Sequence, residues 1–143
     1  MALGILWLVS RPDGKTKVIF CDVGQGDGVL IIKGETQVLI DTGPDNGRME
    51  KCLSQHLPFW DRQLEAVIIS HWDSDHSGGL KGIFEKYRAN KLYANQLPES
   101  GFEQKHYSGD LRQNDVLRVG GIEFDVRWPK EISGDSNTDS VVL

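Results

Sequence analysis

Hydrophobic and polar positions alternate in some stretches of this chain, recur at helical spacing in others and run together in a few. Each rhythm predicts an element. From Lys17 to Asp22 the alternation places Val18 and Phe20 on one face of a strand, because successive side chains of an extended chain point to opposite sides. Val29 to Ile32 is a continuous apolar run, as expected of a strand buried on both faces, and Gln37 to Asp41 supplies a third strand. Met49, Cys52, Leu53 and Leu57 recur at helical spacing between Asn46 and Leu57, and Pro58 ends the pattern, so a helix of about three turns is expected there. Leu64 to Ser70, with Ala66-Val67-Ile68-Ile69 at its centre, reads as a fully buried strand that stops directly before His71.

Leu80, Ile83, Phe84 and Tyr87 then mark an amphipathic helix packed on the sheet, with Ser74 or Asp75 able to cap it. A short strand around Leu92 precedes Asn95 to Asp110, a polar stretch whose Pro98 and two glycines predict a long loop. Asp115 to Val119 and Ile122 to Trp128 flank Gly120-Gly121, the pair a type I′ hairpin turn favours because both its central residues need positive φ. Ser133 to Asp139 is polar and turn-like, and the β-branched run Ser140-Val141-Val142-Leu143 begins a further strand. The order predicts an α/β sandwich, with helices on the outer faces of mixed or mostly antiparallel sheets.

A length of 143 residues suits one domain, taken as residues 15–143. Residues 1–14 form an apolar stub and a turn. The stub is shorter than the about 20 apolar residues that span a bilayer, and it lacks the basic start and small-residue cleavage site of a signal peptide. It is either an edge strand covering the core or the trailing end of a membrane helix. The net charge of −5 argues against holding nucleic acid on a basic footprint, so an anionic substrate would depend on metal ions for its attraction. The two cysteines, Cys21 and Cys52, are too far apart to read as a Cys-x-x-Cys pair or a disulfide framework, and they leave the redox compartment open.

The chemistry concentrates in His71-Trp72-Asp73-Ser74-Asp75-His76, which holds two of the four histidines of the chain. On an extended segment positions i and i+2 share a side, so His71 and Asp73 can converge on one ion. Asp75 and His76, at the turn into the helix, can present a second pair, and they are also the residues assigned to catalysis. Imidazole with carboxylate and no thiolate suits Zn²⁺, Mn²⁺ or Fe²⁺ and leaves positions open for water, the pattern of a catalytic site. Gly78 and Gly79 would let the first helical turn approach the sheet closely. Trp72 reads as a packing residue or an aromatic wall for substrate. His56 and His106 read as solvated.

The pattern His71-x-Asp73-x-Asp75-His76-x-Gly78-Gly79 resembles the metallo-β-lactamase superfamily signature, with aspartate at the second ligand where histidine is usual. Asp22-Val-Gly-Gln-Gly-Asp27, Leu39-Ile-Asp41-Thr-Gly43 and Asn137-x-x-Ser140-Val-Val-Leu143, in that order around it, resemble the ComEC-type competence proteins from Lys17 to the end. The resemblance implies an αββα sandwich and a hydrolase domain attached to a membrane channel for DNA uptake, acting as a phosphodiesterase or nuclease on the single strand that is not imported. It implies two divalent ions, Zn²⁺ or Mn²⁺, one held by His71 and Asp73 and the other by Asp75 and His76, with Asp41 supporting the site from beneath. Asp27 is either a tight-turn residue or a carboxylate orienting His71 or His76, and Asp22 carries the same two readings. The glycines around Asp27 follow no phosphate-loop pattern.

The family draws further ligands from beyond the Asn137 motif. We therefore expect these residues alone to hold an incomplete site with little activity, and to expose a sheet edge at Ser140 to Leu143 that favours self-association. Two other readings stand beside this one: a hydrolase of the same superfamily acting on a β-lactam or thioester, and a non-catalytic interaction module.

Overall fold

The computed structural model describes residues 14–98, 101–135 and 137–143. Apart from Gly14, the apolar stub lies outside them.

The buried run centred on Val67 is the middle of the sheet. Strands β1 (Thr16–Phe20), β2 (Val29–Lys33), β3 (Thr36–Ile40), β5 (Ala66–Ile69), β7 (Leu92–Ala94) and β8 (Tyr107–Asp110) lie side by side in the order β1-β2-β3-β5-β7-β8. The first three pair antiparallel, and β3, β5, β7 and β8 are mutually parallel, so the sheet is mixed. Parallel neighbours need crossovers. All three contain helix: α1 (Arg48–His56) lies between β3 and β5, the pair α2 (Ser74–Ser77) and α3 (Leu80–Lys86) between β5 and β7, and one short helix between β7 and β8. Short strands β4 (Gln63–Leu64) and β6 (Arg88–Ala89) pair in parallel where α1 and α3 hand over to the sheet.

Alternation along β5 explains why it has no polar face. Val67 and Ile69 join Leu30, Leu39, Leu92 and Ala94 beneath Met49, Leu53, Leu80 and Ile83 of the helices. Ala66 and Ile68 join Ile31 and Val38 on the opposite face, under Leu111, Phe124, Val126 and Val141. That second cover is largely the hairpin of β9 (Val116–Val119) and β10 (Ile122–Asp125). Gly120 and Gly121 turn it with φ of 50° and 82°, as the sequence predicts. Gly120 must also lack a side chain, because a Cβ there would lie 2.0 Å from Thr36 Oγ1. Helix, sheet and hairpin thus form three successive layers among the described residues.

Four expectations change. Cys21 and Cys52 form a disulfide with Cα atoms 5.9 Å apart, because the end of β1 lies over α1 however distant the two are in sequence. Closing a loop with a sequence separation of 31 stabilises the fold by roughly 3–4 kcal/mol through restriction of the unfolded chain. The stretch expected to be one long loop contains α4 (Phe102–His106) and β8, drawn into order by the free edge of β7. Neither Ser74 nor Asp75 caps a helix: Asp73 and Gly79 occupy the N-cap positions of α2 and α3, without side-chain cap bonds. The run at Ser140 makes an isolated bridge, Val142 to Trp128, together with a bond from the Val141 amide to the Ser70 carbonyl. Trp128, Val142 and Leu143 are exposed there.

Ile68 has no exposure whereas Val18, on the outer strand, is 53% exposed. Ile68→Ala is expected to cost about 2–5 kcal/mol by urea unfolding, and Val18→Ala less than about 0.5 kcal/mol.

Candidate metal centre

Because β3 and β5 are parallel neighbours with Ile40 opposite Ile68, their C-terminal ends open at the same edge of the sheet, the place where open α/β sheets gather ligands. Asp41 leaves β3 and Ser70-His71 leaves β5. Asp41 takes a left-handed φ of 54°, its amide donating to the Ile68 carbonyl at 2.9 Å, and this turns its carboxylate across the end of β5. There it accepts from the Ser70 amide at 2.7 Å, from Ser70 Oγ at 2.7 Å and from His76 Nδ1 at 2.9 Å. Burial raises the pKa of Asp41, and the bonds from Ser70 and His76 pull it the other way.

With Nδ1–H given to Asp41, the free lone pair of His76 sits on Nε2, the arrangement in which a carboxylate prepares an imidazole for a metal. His76 is further fixed through its own carbonyl, which accepts from the Thr42 amide at 2.7 Å and Thr42 Oγ1 at 3.1 Å. His71 is buried, its Nδ1 3.0 Å from Ser70 Oγ and 3.0 Å from Ser140 Oγ. Its Nε2 is buried without a hydrogen-bond partner and lies 3.5 Å from Asp73 Oδ2. The rings of His71 and His76 are 4.0 Å apart between centroids, and His76 Nε2 is 3.9 Å from Asp75 Oδ2.

Asp73 thus lies beside His71 and Asp75 beside His76, and the adjacent imidazoles bring the two pairs together. A cleft of about 450 Å³ is lined by Asp27, Asp41, Ser70, His71, His76 and Ser140, among others. Asp73 and Asp75 stand beside the imidazoles. Ligand-capable atoms of Asp27, Asp41 and His76 lie within 4.8 Å of one another, so Asp27 and Asp41 are as close to forming a cation site as the expected ligands are. Asp27 is exposed, with Oδ2 3.8 Å from His76 Nδ1. Asp22 is elsewhere: it accepts from the Gly24 amide at 3.2 Å and from Arg48 Nη1 at 3.0 Å, and touches neither histidine. The donor set of imidazole and carboxylate fits a divalent ion, and the orphaned His71 Nε2 is the atom that most needs one.

Trp72 packs against the helix-side core and donates from Nε1 to the Gln96 carbonyl at 2.8 Å. His56 and His106 are exposed, the latter edge-on to Phe84. Gly78 and Gly79 make the expected close approach, to the loop after β3: a Cβ on Gly79 would lie 2.6 Å from the Thr42 carbonyl oxygen. Ser70, Ser140 and Thr42 are the contributors the sequence reading did not single out. Their signal was position alone, Ser70 directly before His71 and Ser140 inside the Asn137 segment.

Residues 21–142 match the family profile "Metallo-beta-lactamase superfamily". The chain belongs to that superfamily. It is 30% identical to "Competence protein ComA" of Neisseria gonorrhoeae over 92% of its own length, and 28% identical to "Uncharacterized protein YcaI" of Escherichia coli (strain K12) over 96%. It spans 18% of the length of each of these relatives. Its homologues thus include competence proteins of the ComEC type. In three dimensions it is similar to the metallo-β-lactamase SMB-1, with a TM-score of 0.63, 13% identity and coverage of 92% of this chain and 57% of that one.

Asp41→Ala, which strands the Ser70 and His76 donors, is expected to lower the unfolding free energy by about 2–4 kcal/mol, and Asp41→Asn by less, as read by urea titration. The segment carrying Ser140 gives a pH test. Asp139 accepts bonds from Ser133 and Gly134 that hold its carboxyl below the usual carboxylate range. Its contribution to stability is present above the unfolded value of about 3.9 and is lost as pH falls through the lower folded value. Asp139→Asn is expected to flatten the acid limb of stability measured between about pH 5 and pH 2.

Proposed function

We propose that this chain is the metal-dependent phosphodiesterase domain of a DNA-uptake protein, cleaving the DNA strand that is not imported. The observation that carries the reading is the Nε2 of His71, buried without a hydrogen-bond partner beside the His76 ring, in a cleft where Asp27, Asp41, Ser70 and Ser140 stand among apolar side chains such as Phe20, Val29 and Val141. Likeness to ComA supports the choice of DNA among the substrates of the superfamily.

In this reading His71 and Asp73 hold one divalent ion and Asp75 and His76 the other, with Zn²⁺ or Mn²⁺ the natural choices. When bound, the ions supply a water acidic enough to be deprotonated near neutral pH and a Lewis acid for the phosphoryl oxygens. Asp41 keeps the proton on His76 Nδ1. Ser70 and Ser140 fix the His71 ring from its Nδ1 side, which leaves Nε2 directed at the site. Catalytic zinc ordinarily has three protein ligands, and these pairs offer two to each ion, so metal binding is weak and turnover by the 143 residues alone is slow.

The remaining partners follow from the same likeness. Likeness to a competence protein supports a DNA-uptake parent, in which a membrane-channel portion would be the partner of this domain. No helix among the described residues is long and apolar enough to cross a membrane. The exposed Trp128, Val142 and Leu143 support self-association through that edge.

Calorimetric titration with Zn²⁺ and Mn²⁺, paired with cleavage assays on single-stranded DNA, duplex DNA and a chromogenic β-lactam, tests the assignment. Expected are weak metal binding, slow DNA cleavage and no β-lactam hydrolysis. His71→Ala should abolish binding at its site and lower cleavage by at least about 100-fold. Tight binding that survives His71→Ala, or turnover of the β-lactam alone, defeats it.

A further inference from the structure

The loop from Cys21 to Gly28 carries Asp27 into the metal cleft from the end of an outer strand. Among the described residues β1 pairs only with β2 in the sheet, and most of its residues are exposed. The Cys21 amide donates to the Gly28 carbonyl at 2.9 Å, so the two ends of the loop meet at Cys21. From there the Cys21–Cys52 disulfide runs to α1, whose Cys52 sits in the helix-side core. At its tip the loop rests on the motif itself. The Asp27 amide donates to the Asp75 carbonyl at 3.3 Å, and a Cβ on Gly26 would lie 2.0 Å from that same oxygen. Asp27 has little packing of its own, its side chain being 74% exposed. Its position over His76 is set by where the loop is anchored.

We infer that the Cys21–Cys52 disulfide is a positioning element for the metal cleft, a tether that holds the Asp27 carboxylate over His76 and releases it on reduction. The bond is within reach of a reductant. A cleft of about 350 Å³ beside it is lined by Phe20, Cys21, Asp22, Arg48, Lys51 and Cys52, among others, and gives a small dithiol an approach to the sulfurs. Two electrons and two protons from a dithiol reductant convert the Sγ–Sγ bond to two thiols, and the reductant leaves as its own cyclic disulfide. The core contacts of α1 through Met49 and Leu53 stay in place. The loop keeps its bonds from Asn46 Nδ2 to the Val23 carbonyl and from Arg48 to Asp22, and loses its covalent anchor.

The affinity part of the test rests on the metal-binding reading above, and the exchange part does not. The whole chain is compared in its oxidised form, after reduction with dithiothreitol, and as Cys21→Ser/Cys52→Ser, with circular dichroism to confirm that the fold persists. Backbone amides of residues 22–28 are expected to exchange at least about tenfold faster in the two untethered forms while those of β5 do not change, and Zn²⁺ affinity to fall about tenfold. Asp27→Asn should weaken Zn²⁺ binding in the oxidised protein and add nothing once the tether is open, a non-additivity that a purely structural bond would not produce.

Equal loop exchange in the oxidised and reduced proteins overturns the inference, as do additive effects of Asp27→Asn and reduction. Global unfolding on reduction overturns it too, since the bond would then hold the core and not the loop. Absence of Zn²⁺ binding in the oxidised wild type counts against the metal reading and leaves the exchange comparison to decide the tether.

Discussion

A carboxylate cannot stay buried without donors, and the donors Asp41 finds decide how this edge of the molecule is built. They come from Ser70 at the end of β5 and from His76 in α2, so one side chain joins the third strand, the fifth strand and the helix that follows it. The strand pairing brings the two ends together, but pairing alone says nothing about where the His76 ring points. The acceptor does that. Ser70 relays the constraint, because the hydroxyl that bonds Asp41 also lies against His71 Nδ1. Both imidazoles are thereby oriented from one buried anion.

Close backbone contact does the rest. Gly26, Gly78 and Gly79 stand where any side chain would strike a neighbouring loop, and the loops after β1, β3 and β5 stack on one another with little between them. The cleft beside them is lined by apolar side chains such as Phe20, Val29, Ile40 and Val141 together with Asp27, Asp41, Ser70, Ser140 and the two imidazoles. The helices and hairpin on either side of the sheet mainly exclude water from beneath it.

Much of this was legible in the chain. The apolar run ending at His71 placed the motif at a strand end, and the spacing of Met49, Cys52 and Leu53 gave α1. Gly120-Gly121 gave the hairpin. What escaped reading depends on contacts between distant residues. Ser140 meets His71 across 69 positions, and Cys21 meets Cys52 because a strand end crosses a helix, which no local pattern encodes. The polar stretch after Asn95 looked like a loop because the ordering of β8 comes from pairing with β7, not from its own composition. Asp22 and Asp27 looked alike in sequence, five residues apart on one glycine-rich loop. Arg48 draws Asp22 outward, and contact with Asp75 holds Asp27 near the site.

The disulfide also bears on how the protein is prepared. Disulfides form in oxidising compartments and are rare where glutathione and thioredoxin keep thiols reduced. Polypeptide recovered from the cytosol of an ordinary expression host would carry Cys21 and Cys52 as thiols, while the same sequence exported to a periplasm would carry them joined. The two preparations would share a mass to within two hydrogens and the same secondary structure. They would differ in whether Asp27 is held over His76, so the route of expression becomes a variable in any comparison of their properties.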